Sequence, residues 1–176
     1  MHGNRKMVMN MVLAALFVTL GMVLPLAFHS VPNSGRIFLP MHIPILLCGI
    51  LCGFPYGLAC GMLTPLLSSL FTGMPPAAML PSMLCELAAY GTASSLLIRC
   101  VRMKNVYVRI YVALIGAMVS GRIFYGILNA LVFNAGSYSI QIWLTAAFVT
   151  ALPGVLIQIL VIPVIVVILQ KARRID

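Results

Sequence analysis

Apolar runs and short polar or basic breaks alternate along the whole chain, and most of the runs are as long as a membrane crossing. A helix needs about 20 mainly apolar residues to cross roughly 30 Å of hydrocarbon. The pattern predicts spans near Met7–Phe28, His42–Gly53, Gly57–Phe71, Ala77–Cys100, Tyr107–Phe133 and Gln141–Gln170. The second and third are short. The longest connection, His29–Leu39, holds Pro32, Asn33, Ser34 and Gly35 and reads as a loop, and Asn134-Ala-Gly-Ser-Tyr138 is a second polar turn.

The block Leu39–Pro76 departs most from a plain lipid-facing helix. Pro40, Pro44, Pro55, Pro65, Pro75 and Pro76 break it, and Gly49, Gly53, Gly57 and Gly61 recur at every fourth position. Positions four apart share a helix face, so small residues there let a second backbone come close. Membrane helices accommodate proline where neighbouring helices or a cavity re-satisfy the freed backbone groups. The block therefore predicts two short packed spans, joined by a tight turn at Phe54-Pro-Tyr-Gly57 and set beside a cavity. A kinked structural hairpin would carry the same pattern.

Composition fixes the class. The chain of 176 residues is 62% hydrophobic and only 7% charged, whereas soluble domains carry about 25% charged residues. The expectation is a single all-α integral membrane domain over residues 1–176, with six transmembrane helices. The net charge of +9 does not indicate nucleic acid. Arg5 and Lys6 precede the first span, Arg99, Arg102, Lys104 and Arg109 flank the fourth-to-fifth connection, and Lys171, Arg173 and Arg174 end the chain. Six spans put all three clusters on one side, and basic loops mark the cytoplasmic side, so both termini are expected to be cytoplasmic. Arg36 alone falls in an outer loop. The first apolar run is longer than the 7–15 residues of a signal-peptide core and lacks a small-x-small cleavage site, so it reads as a retained span. Cys48, Cys52, Cys60, Cys85 and Cys100 lie in or beside apolar segments and read as small packing residues, with no metal site and no cofactor implied.

Chemistry is confined to a few polar groups within the spans. The chain has two acids, Glu86 and the C-terminal Asp176. Glu86 lies about ten residues into its span, roughly 15 Å deep, and Arg122 lies about 7 Å nearer the outer side, an offset that an arginine side chain can bridge. Intramembrane ionisable groups pair or line a cavity, so Glu86 and Arg122 form a structural ion pair, the wall of a ligand site, or both. Arg122, Tyr125 and Asn129 follow one helical stripe at i, i+3 and i+7, and Glu86 and Tyr90 stand at i and i+4. His42 sits at the outer mouth between Pro40 and Pro44, where an interfacial role and a ligand role are both open. Trp143 reads as an interface anchor, and Gln158 as a bond to a neighbouring helix.

The sequence contains no G-x-x-x-x-G-K-[ST], no H-E-x-x-H and no intramembrane aspartate pair, so no ATPase or membrane-protease chemistry is expected of the chain itself. Leu13-Ala-Ala-Leu-Phe-Val-Thr19, the Leu39–Gly61 block, Thr64-Pro-Leu-Leu-Ser-Ser69, Thr72-Gly-Met-Pro-Pro76 and Glu86-Leu-Ala-Ala-Tyr-Gly91 resemble the S components of energy-coupling factor (ECF) vitamin transporters. The resemblance implies a bacterial plasma-membrane subunit that captures a small water-soluble vitamin or precursor from outside. It also implies docking on a transmembrane coupling protein driven by two ATPase subunits, and toppling in the lipid bilayer during transport. The first three helices would form the coupling half, and helices four to six with the outer loops the substrate-binding half.

The family's Ala-x-x-x-Ala docking motif finds its nearest equivalent in Ala15-x-x-x-Thr19, with Ala14 beside it. The expected substrate-binding residues are Arg122, Tyr125, Asn129, Glu86, Tyr90, His42 and Arg36. Arg122, Arg36 and His42 suit an anion, which puts pantothenate ahead of riboflavin, a pyrimidine or pyridoxine. The alternative is a stand-alone secondary carrier that uses Glu86 as its proton site.

Overall fold

The computed structural model describes residues 2–28, 34–133 and 139–175. The described secondary structure is entirely helical: α1 (His2–Ala27), α2 (Ser34–Phe38), α3 (His42–Cys52), α4 (Phe54–Thr72), α5 (Leu80–Cys100), α6 (Val106–Leu128), α7 (Ile140–Leu144) and α8 (Leu152–Ile175). One turn of π-helix extends α6 over Asn129–Phe133, and another extends α7 over Thr145–Thr150. The expected loop at His29–Leu39 is in part helical, because Ser34 and Gly35 open α2; Pro32 and Asn33 lie outside the described residues, as does the turn Asn134–Tyr138.

Five stretches are long and apolar enough to cross a membrane: Asn4–Ala27, Gly35–Cys52, Phe54–Thr72, Val106–Phe133 and Leu152–Ala172. The chain is thus a multi-pass membrane protein. The expected fourth span, α5, has 21 residues but does not belong to this set, because Ser82, Glu86, Thr92, Ser94 and Ser95 lower its hydropathy. The expected sixth span is broken at Ala151, and its N-terminal part forms the separate α7 and its π turn. Pro153 suits the break, since it cannot donate a backbone hydrogen bond and is favoured in a first helical turn, where it stands in α8.

The turn between the two short spans comes earlier than expected. It is Gly53 alone, at φ +96°, a conformation that an L side chain rarely adopts, and Pro55 then occupies the first turn of α4. The fourfold glycine spacing does bring backbones together. A Cβ on Gly57 would lie 2.5 Å from the Gly91 carbonyl oxygen and 2.8 Å from the Gly49 Cα, so α3, α4 and α5 meet where only hydrogens separate them.

Helix α5 is central, packed on α3, α4 and α6, while α1 lies against α3 and α4, and α8 against α2, α3 and α6. Ile45, Leu46, Cys48, Leu87, Leu114 and Ile162 are buried in the shared core. Cys52 and Cys60 are buried beside them, Cys85 is half-buried and Cys100 is exposed, all as free thiols. No group of three or more metal-ligating side chains occurs among the described residues.

The basic ends of the helices gather at one end of the bundle. Asn10 donates to the Cys52 carbonyl (3.4 Å) and Tyr56 to the Met7 carbonyl (3.5 Å), which ties the start of α1 to the α3–α4 turn. The Arg99 guanidinium lies against Gly53, and Arg109 Nε donates to the Ile98 carbonyl at 2.9 Å. The opposite end carries α2, the Gly73–Met79 connection and the start of α8, where Gly154 touches the backbone of Ile37 and Phe38.

Candidate substrate site

Three helices each bring one ionisable side chain to a common point inside the bundle. His42 opens α3, Glu86 lies in α5 and Arg122 in α6. Glu86 Oε1 is 3.5 Å from His42 Nε2 and 3.6 Å from Arg122 Nη1. His42 is 2% exposed, Glu86 7% and Arg122 8%, so the cluster is closed off from the surroundings. These separations bring the three side chains together without forming hydrogen bonds. Both ring nitrogens of His42, Glu86 Oε1 and Arg122 Nη2 are buried and make no hydrogen bond within the protein. Buried polar groups are hydrogen-bonded in the great majority of cases, so four unpartnered atoms in one place call for an explanation.

Local chemistry explains how the cluster is assembled. Tyr90, one turn beyond Glu86 and 1% exposed, sets its ring edge-on to His42 at 4.9 Å between centroids. Gly121 makes room for that ring, since a Cβ there would lie 2.9 Å from its carbons. Leu39 adopts φ +51°, which is uncommon outside glycine and marks local strain. Its carbonyl accepts from the His42 backbone N–H (3.1 Å) and from buried Gln158 Nε2 on α8 (3.5 Å). The start of α3 is thereby turned into the bundle, and His42 goes with it.

The expected ion pair between Glu86 and Arg122 is therefore present at contact distance. His42 is a correction, because it is not an interfacial residue at the mouth but the third member of the buried cluster. It stands on the second predicted span, so the cluster draws on both of the expected halves of the molecule. Tyr125 and Asn129 continue from Arg122 along α6. Tyr125 is half-buried, while Asn129 is 2% exposed, far more enclosed than a surface position, and donates to the Tyr125 carbonyl at 2.9 Å. Arg36 is not brought to the cluster. It is exposed on α2 and reaches the Met79 sulfur at 3.6 Å, linking two connections at the same end of the bundle.

Trp143 is more than an interface anchor. Its indole N–H donates to the Arg122 backbone carbonyl at 3.0 Å and fills the space left by Gly126, which pins α7 to α6 directly beside the cluster. Two open clefts flank α7, of about 330 Å³ along Gln141, Thr145 and Thr150 and about 240 Å³ between Ile123, Ile127 and Trp143. Neither reaches Glu86. Sequence reasoning missed the structural weight of Gly121, Leu39 and Gly126; adjacency of Gly121 to Arg122 was the one signal available.

On α1, Ala14 is half-buried against the core, whereas Ala15 and Thr19 are exposed. The Thr19 hydroxyl folds back on the Ala15 carbonyl at 3.0 Å. Thr19 therefore offers the outside little more than a methyl group.

The architecture, many apolar helices around a sparse buried polar cluster, is that of a multi-pass membrane protein. The family model for the ECF transporter, substrate-specific component, matches residues 9–166. The chain belongs to that family and is a substrate-specific subunit of an ECF transporter. No curated protein and no solved structure matches it. Proteins of this family bind substrate for transport and are not enzymes.

Proposed function

We propose that this subunit captures a small water-soluble vitamin or precursor from the outer side of a bacterial plasma membrane, and that it delivers the solute by docking on a coupling protein driven by two ATPase subunits. The reading includes six crossings, with α5 as the fourth and both termini cytoplasmic; the gathering of basic residues at one end of the bundle supports it. The observation that carries the binding role is the buried cluster of His42, Glu86 and Arg122, whose unpartnered polar atoms stand inside an apolar bundle. Small-molecule sites combine apolar walls with a few placed polar groups, and Tyr90, Tyr125 and Asn129 extend this one along α5 and α6.

Substrate enters from the end that carries α2, Arg36 and α7. Arg122 and His42 favour an anionic solute, with Arg36 at the entrance as a steering charge, and pantothenate leads among the vitamins considered. The face of α1 that holds Ala15 and Thr19 suits close approach of a partner helix, while Ala14 supports it from within. Native mass spectrometry of the protein purified from its own host is the deciding experiment. A co-purifying vitamin is expected. Accumulation of solute in vesicles that contain this chain and no ATPase would overturn the reading in favour of a stand-alone carrier.

A further inference from the structure

Charge balance inside the cluster constrains the ligand further than its polarity does. With a neutral imidazole, Arg122 and Glu86 cancel, and the cluster carries no net charge. A carboxylate placed on the free Arg122 Nη2 would leave one uncompensated negative charge in a sealed apolar site, which is strongly unfavourable. The side chain that can remove the excess while keeping the Arg122–Glu86 pair is His42. Its Nε2 lies 3.5 Å from Glu86 Oε1, and both its ring nitrogens lack hydrogen-bond partners. Protonated, it gives two cations against two anions, and its Nε2–H faces Glu86 Oε1.

We infer that the solute is a carboxylate and that it binds together with one proton taken up by His42. The inference rests on the substrate-binding reading above. The step balances simply: one proton from solvent goes onto an imidazole nitrogen for each carboxylate bound, and it leaves when the solute leaves. The titratable or charged groups that face His42 are Glu86 and Tyr90 from α5, with Arg122 from α6 on the far side of Glu86. Among the described residues, α1, α4 and α8 bring no ion-pair partner to it.

The sign of the linkage follows. Because a proton is bound together with the carboxylate, binding is favoured at low pH and weakens as pH rises. Where one proton is taken up per ligand, the Kd should rise toward tenfold per pH unit.

Matched pairs of probes test the idea on the full chain in lipid nanodiscs: pantothenate against pantothenol, nicotinate against nicotinamide, and biotin against biotinamide. One of the acids should bind at least tenfold more tightly than its neutral partner. Calorimetry of that acid in two buffers of different ionisation enthalpy should return about one proton taken up per ligand. His42→Gln should bind more weakly and lose the pH slope. A slope that survives in His42→Gln would place the proton on Glu86 and overturn the assignment. If that variant does not fold, proton uptake near zero in the wild-type calorimetry overturns it equally. Preference for the neutral partners, or a neutral vitamin co-purifying from the host, would sink the carboxylate inference while leaving the transporter reading intact. Failure of every vitamin, acid or neutral, to bind would bring down both.

Discussion

Removing the negative charge from the cluster should be more damaging than removing either positive one. In Glu86→Gln, Arg122 keeps its charge, because a guanidinium does not deprotonate in proteins. It is 8% exposed and loses the carboxylate that stood 3.6 Å away. At an effective dielectric of 20, that separation corresponds to about 5 kcal/mol of lost attraction. Mutational experience with broken buried pairs gives about 3–5 kcal/mol. Arg122→Met should cost less, because Glu86 still has His42 at 3.5 Å. The double variant Glu86→Gln/Arg122→Met removes both charges and should recover most of the loss. Unfolding of all four proteins in mixed detergent micelles supplies the cycle, and substrate binding should be lost in every variant. A double variant no more stable than the worse single one would refute the pairing, and equal damage from the two single changes would refute the role given to His42.

Three further outcomes are expected. Gly91→Ala should destabilise the protein by about 1–3 kcal/mol or more, since the added methyl would strike the Gly57 backbone; an unchanged unfolding midpoint would mean that α4 and α5 are not in that contact. Asn129→Ala should weaken solute binding by about 1–3 kcal/mol, as expected when a buried hydrogen-bonding group is deleted, and unchanged affinity in both it and Tyr125→Phe would move the site away from this stripe of α6. Ala15→Trp should leave binding in detergent near normal yet abolish ATP-dependent uptake in vesicles with the partner proteins, because the exposed face of α1 would no longer admit a close helix; normal uptake would remove α1 from the docking surface.

Much of this organisation was legible in the residues. Run length and proline or glycine breaks predicted α1, α3, α4 and α6 within a few positions, and depth counting along two antiparallel helices predicted that Glu86 and Arg122 would meet. Local signals could not place His42. It stands at the first residue of α3 and looks like a mouth residue, and only the left-handed Leu39, held from α8 by Gln158, turns it inward. Trp143 was obscured for a related reason. Tryptophan at the start of an apolar run ordinarily marks a membrane interface, and its bond to the Arg122 carbonyl depends on Gly126, seventeen positions earlier, as much as on itself. The π turns after Leu128 and Leu144 have no periodicity that separates them from α-helix in sequence.

Helix α5 shows why hydropathy and function pull in opposite directions here. It lies outside the set of strongly apolar helices because of its serines, Thr92 and Glu86, yet it packs against three other helices, α3, α4 and α6. Its three serines are answered within the helix and its N-cap. Ser82 donates to the Met79 carbonyl, Ser94 to Gly91 and Ser95 to Thr92. A polar side chain that bonds its own helix places no demand on the surrounding protein, so these residues serve packing. Glu86 differs, because its ion-pair partners among the described residues are side chains carried by α3 and α6. Anything that shifts either helix changes the charge balance at Glu86, and anything that changes the charge at Glu86 changes how firmly α3 and α6 are held. Binding a charged solute at this point would therefore alter the packing of α3, one of the two helices against which α1 lies. That gives the subunit a physical route by which an occupied site would be felt at the docking surface proposed for α1.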